Sequence, residues 1–163
     1  MKRHLNCILS LVLIFFAACN NNQKREDVKR QNALVFPQGE RITNENFTGT
    51  AYLQGLIDAD SLNSISVGNV TFEPGARSKW HLHPSGQIIL VTDGVGYYQE
   101  KGQPKKVLRK GDVIKCPPNI PHWHGASSDT AFVQVAITSR ESGPTVWLEA
   151  VSDEEYHGEV TVN

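Results

Sequence analysis

The sequence has little of what it would need to grip nucleic acid, cross a bilayer or staple itself with disulfides. Acidic and basic side chains nearly balance, 17 against 16, for a formal net charge of −1. A nucleic-acid-binding domain needs a basic face, and this composition supplies none. The most apolar stretch, residues 8–18, has 11 residues, where a spanning helix needs about 20. Cysteine is scarce, with only Cys7, Cys19 and Cys116. No 20–50-residue repeat is visible, so a solenoid or propeller is not indicated. Between residues 64 and 138 there is also no helical apolar period.

At the N-terminus, Lys2, Arg3 and His4 precede the apolar stretch, which ends Phe16-Ala17-Ala18-Cys19. A basic start, a short apolar run and small residues make a secretory signal. Small residues directly before a Cys resemble the lipobox of bacterial lipoproteins, with Phe16 where Leu is usual. That resemblance implies a signal peptide over 1–18 and lipidation of Cys19. It also implies a membrane-anchored protein of the bacterial cell envelope, facing the periplasm or the cell surface. Cleavage leaves 145 residues with a formal charge of −3. Cys7 departs and Cys19 carries lipid, so Cys116 has no partner for a disulfide. The core alone must then stabilise the domain, and a chain of this length can build one. Residues 19–32, whose only apolar side chain after Cys19 is Val28, read as a solvated tether. The domain proper is expected over 33–163.

Eight Pro and 13 Gly punctuate short apolar runs. Strands are expected at 47–57, 64–73, 79–83, 87–92, 95–100, 105–109, 113–116, 122–126 and 131–138. The breaks, among them Pro84-Ser85-Gly86, Asp93-Gly94 and Pro117-Pro118-Asn119, carry turn formers. Short strands at this spacing predict an all-β sandwich or barrel. One helical turn is expected after Ser152, as its N-cap.

Four of the six histidines form two strings, His81-Leu82-His83 and His122-Trp123-His124. Side chains two apart on a strand share a face. In a closed barrel both pairs can turn into the lumen, with Gln87 returning to the same neighbourhood on the next strand. Imidazoles from separate strands converging in a small cavity suit a divalent transition metal such as Mn, Fe, Co, Ni or Zn. Trp80 and Trp123 have the opposite parity, so they should pack outside the barrel, against N-terminal strands or a dimer partner. Lys79 shares the histidine parity and could line the barrel mouth or snorkel to water. Cys116 reads as a small buried apolar residue.

The spacing Gly75-(five)-His81-x-His83-(three)-Gln87-(six)-Gly94 resembles the first cupin motif, with Gln87 in place of its Glu. Gly111-(five)-Pro117-x-Asn119-(two)-His122 resembles the second, with Asn119 in place of a Gly. The strings Phe72-Glu73-Pro74-Gly75-Ala76-Arg77 and His122-Trp123-His124-Gly125-Ala126 resemble the subgroup containing carboxymuconolactone-decarboxylase-associated cupins and manganese-dependent bacterial hydroxynitrile lyases. The resemblance implies an all-β cupin double-stranded β-helix, a jelly-roll barrel, assembled as a homodimer. It implies His81, His83, Gln87 and His122 as metal ligands and favours manganese. Gln134 falls where the lyase-like members carry a catalytic His. His124 is then the remaining candidate for proton transfer, and Gln134 a candidate that can only orient.

The expected function is a metalloenzyme acting on a small oxygenated or carbonyl substrate, of lyase, decarboxylase or isomerase type. A non-catalytic metal-dependent module for small ligands and a dioxygenase are the alternatives.

Overall fold

The computed structural model describes residues 34–161. The expected signal peptide, Cys19 and the expected tether lie outside the described residues. From Val35 onward the chain forms one compact unit. The described strands are β1 (Glu40–Arg41), β2 (Phe47–Thr48), β3 (Ala51–Ile57), β4 (Ile65–Phe72), β5 (Arg77–Ser78), β6 (His81–Leu82), β7 (Gln87–Glu100), β8 (Lys105–Arg109), β9 (Val113–Cys116), β10 (His122–Ala126), β11 (Phe132–Ser139), β12 (Val146–Trp147) and β13 (Val160–Thr161). One helix, α1 (Asp153–His157), follows β12.

These strands form two curled layers that share β7. Its first half lies between β11 and β9, and its second half between β10 and β8. The first layer runs β1-β3-β4-β11-β7-β9, and all its neighbours are antiparallel. In the second layer, β10 pairs with β7 on one side and with β5 and β6 on the other. Sharing one long strand between layers closes much of the sheet on itself and reduces exposed edges. The result is the expected all-β jelly roll.

The long β7 differs from the expectation of two strands parted by a turn at Asp93-Gly94. Gly94 has φ +78°, and a Cβ there would sit 1.8 Å from the Ala131 carbonyl oxygen. The glycine permits a left-handed kink. Opposite it, the register with β11 shifts between Val133 and Gln134, as at a β-bulge. The strand therefore bends from one layer into the other without stopping. Asn119 also has positive φ, +60°. This conformation explains why the motif favours Gly there, and Asn is among the few residues that tolerate it.

Two other expected strands are broken. The span 47–57 becomes β2 and β3, and 79–83 keeps only β6. At Trp80 the chain instead exchanges backbone hydrogen bonds with the C-terminal segment: Trp80 N donates to Glu149 O, and Leu148 N to Trp80 O.

Alternation along the strands places Phe72, Ile89, Tyr98, Leu108 and Phe132 in the barrel core, with Cys116 among them. Trp80 and Trp123 pack outside it, as their parity requires. Their cover is Val151 and Tyr156, from the C-terminal segment rather than the expected N-terminal strands. Ser152 caps α1 in a capping box with Glu155, satisfying backbone donors at the helix start. Arg77 donates to Val151 O and Asp153 and lies 4.5 Å from the Tyr156 ring centroid, while the Lys105 ammonium caps the Tyr156 carbonyl. This clamp seals the outer face of β10, whose five residues are all buried.

Candidate metal centre

The pairing of β6 with β10 sets His81 directly opposite His122. His83 lies just past the end of β6, yet its ring centroid is 5.1 Å from that of His81 and 5.5 Å from that of His122. One ligand-capable nitrogen from each of the three lies within 4.8 Å of the others, and all three residues are buried.

Backbone carbonyls fix which nitrogens face each other. His81 Nδ1 is 2.9 Å from Lys79 O, and His122 Nδ1 is 2.9 Å from Ile120 O. A carbonyl can only accept, so each Nδ1 carries the proton and each Nε2 keeps its lone pair. Outer contacts of this kind orient metal-binding histidines. His83 Nδ1 is 3.2 Å from Thr145 Oγ1. The Nε2 atoms of His83 and His122 are buried without a protein partner. A buried polar atom left unpaired is costly, and a divalent ion is the partner that suits several converging lone pairs. The donor set thus fits a divalent metal.

Burial dominates the electrostatics. It holds His81 well below the ordinary histidine pKa, helped by His124 and His122, with the Lys79 carbonyl opposing. Burial likewise lowers His83 to about 3, reinforced by His122 and Arg140 and opposed by the Gln87 side chain. Burial lowers His122 against the pull of the Ile120 carbonyl and Glu100. All three rings are therefore neutral near neutral pH, the state that binds metal.

Gln87 lines the same cavity as His81 and His83. Its Nε2 donates to Thr138 Oγ1 at 3.0 Å, which leaves Oε1 as its remaining acceptor. Cys116 Sγ approaches that oxygen at 4.0 Å, and burial raises the thiol to about 12. Cys116 is thus an inert buried thiol rather than a nucleophile.

The cavity holds about 270 Å³ and is walled by apolar side chains such as Phe47, Leu53 and Trp147. His124 reaches it too, with its ring 5.1 Å from His81 and edge-on to Phe72. Neither His124 ring nitrogen has a partner among the described residues, and burial, then His122 and His83, holds it well below the ordinary histidine value. Gln134 shares strand parity with Ala136 and Thr138, which line the cavity, but is itself fully buried (0 % exposed) with both amide atoms unpaired. Lys79 is half-buried and is not among the lining residues.

Sequence reasoning did not single out Thr138, Arg140 or Thr145. Thr138 had a signal, since it falls on the inward face of β11. Arg140 and Thr145 lie in the β11–β12 connection, where no periodicity reports orientation.

Comparisons with known proteins agree with this geometry. Residues 68–138 match the cupin domain family. An (R)-mandelonitrile lyase from Granulicella tundricola is 43% identical over 111 residues, covering 68% of this chain and 85% of the relative. A cupin-like protein from Thermotoga maritima superposes with a TM-score of 0.72 at 44% identity, covering 75% of this chain and 93% of its own. A cupin-2 domain from Rhodospirillum rubrum, at 16% identity and a TM-score of 0.57 over 71% of this chain and 75% of its own, shares the fold. With its barrel, its paired histidine strings and a relative matched over most of its length, this chain belongs to the cupin superfamily.

Proposed function

We propose that this chain is a metal-dependent cupin enzyme acting on a small oxygenated or carbonyl substrate by lyase, decarboxylase or isomerase chemistry. The observation that carries the reading is the convergence of the His81, His83 and His122 nitrogens within 4.8 Å, beside a cavity that also presents unpaired His124. A divalent ion held by these three histidines and Gln87 would supply Lewis-acid polarisation of a substrate oxygen. The likeness to a lyase favours this class, and the likeness to manganese-dependent cupins favours manganese. A homodimer, and lipid anchoring through Cys19 at the cell envelope, belong to the same proposal.

The chain's own residues divide the remaining work. Gln87 is neutral, so the set of four donors cancels none of an ion's charge. Thr138 fixes the Gln87 amide by accepting from its Nε2. Phe47, Leu53 and Trp147 give the cavity an apolar wall. His124 holds a neutral ring whose two nitrogens have no partner among the described residues, so the one that carries the lone pair can take a substrate proton. Burial disfavours its charged form, so it accepts a proton most readily when a negative charge develops beside it.

Gln134 favours a second reading, a non-catalytic metal-dependent binder, because it cannot take a proton where the lyase-like cupins place a base. One experiment separates the two. Metal bound to the purified protein is quantified, and small aldehydes, cyanohydrins and hydroxy acids are screened for turnover and thermal shift. Turnover that disappears in His81→Ala supports the enzyme. Metal-dependent shifts without turnover support the binder. A protein that takes up no metal refutes both.

A further inference from the structure

The most unusual charge near the histidines is Arg140, a half-buried residue on the cavity wall. Its guanidinium is held entirely by neutral acceptors: Nε donates to Ser66 Oγ at 3.1 Å and Nη1 to Thr145 Oγ1 at 2.8 Å. No carboxylate among the described residues lies within ion-pairing distance of it. Its Nη2 has no protein acceptor among those residues. Among the described residues, Asp58 is the sole acidic residue lining the cavity, and it is exposed. The same Thr145 hydroxyl that receives Arg140 Nη1 contacts His83 Nδ1 at 3.2 Å. A single hydroxyl therefore separates a fixed positive charge from a candidate metal ligand.

An arginine oriented by two hydroxyls keeps its planar fork in place without neutralising it. Such a fork matches a carboxylate, which it binds by short charge-assisted hydrogen bonds. The cavity, at about 270 Å³, is below the usual range of drug-sized sites of roughly 300–1,000 Å³. It suits a small molecule.

We propose that the cavity selects a small hydroxy- or oxo-carboxylate, whose carboxylate is bound by Arg140 while its second oxygen function faces His81, His83 and His124. The proposal rests on the histidine cluster being the reaction centre. It narrows the substrate from any small carbonyl compound to an anionic one. Arg140 is then the specificity-determining residue.

The test uses the whole protein, loaded with manganese and also freed of metal, and two probes of similar shape, lactate and lactamide. Binding is measured by calorimetry at low and high salt, and metal content is measured in every sample. Wild-type protein should bind lactate at least tenfold more tightly than lactamide, with the preference shrinking as salt rises. Arg140→Gln should weaken lactate binding at least tenfold while lactamide binding and metal content stay unchanged. Arg140→Lys, which keeps charge but not the fork, should fall between. Should Arg140→Gln fail to fold, the lactate preference and its salt dependence in the wild type still decide. Equal lactate affinity in Arg140→Gln at matched metal content overturns the proposal. So does a wild type that prefers neither probe or binds neither. Absence of metal uptake would sink both metal-dependent readings of the histidine cluster but not the carboxylate site, since an Arg140-dependent preference for lactate would remain measurable in metal-free protein.

Discussion

The site should make the metal-free protein acid-labile in a defined window. His81, His83 and His124 are held neutral by burial, and their folded-state pKa values lie below the ordinary histidine value, His83 at about 3. In the unfolded chain each titrates near 6.5. Between those limits the unfolded state binds more protons, so stability falls as pH falls below about 6.5 and holds its full value above it. Each group then contributes a slope of about 1.4 kcal/mol per pH unit. Three groups lose about 4 kcal/mol by pH 5.5 relative to pH 8, a large share of a typical stability of 5–15 kcal/mol. For a domain of this size the melting temperature should drop on the order of 15 °C. The assay is thermal and urea unfolding in the presence of a chelator from pH 8 to 5.5, repeated for His124→Gln. Burial lowers His122 as well, so removing His124 should reduce the slope by about a quarter to a third. A flat profile in the metal-free wild type, or an unaltered slope in His124→Gln, would show that these rings are not held neutral by burial.

His81→Ala or His122→Ala should abolish uptake of a divalent ion, measured by elemental analysis, whereas His157→Ala, on the exposed end of α1, should leave it intact. Gln87→Glu should retain the metal but weaken binding of an anion, because the carboxylate lowers the net positive charge of the site; unchanged anion affinity at equal loading would argue that Gln87 does not reach the ion. Gln134→His should raise cleavage of mandelonitrile above a weak wild-type level, since a positioned base is worth roughly 10²–10⁴-fold; robust wild-type turnover would move the proton transfer to His124. Gly94→Ala should destabilise by more than the roughly 1–2 kcal/mol of left-handed strain, because its Cβ would also collide with the Ala131 carbonyl.

The clustered histidines were legible because few residue types can hold a metal and strand parity orders them. Histidines spaced by one residue share a face, and two such pairs in a barrel have one lumen to meet in. The same parity argument sent Trp80 and Trp123 outward, as observed. It did not identify their cover, because α1 returns to them across some thirty to seventy residues and its own sequence records only the Ser152 cap. Asp93-Gly94 misled for a related reason. A turn and a bulge ask the same conformation of a glycine, and the choice is made by a partner strand, here the one carrying Ala131 and Phe132. The parity argument for His83 assumed a continuous strand over 79–83, yet the backbone at Trp80 is engaged by Leu148 and Glu149. The histidine pair converges because those distant residues hold the segment extended. Arg140 and Thr145 were invisible for the opposite reason: arginine and threonine are ordinary in loops, and only the packed chain shows that they face His83. The chemistry of this barrel is thus written in scarce residues on strands, while its selectivity is set by common residues on a connection that the fold alone places.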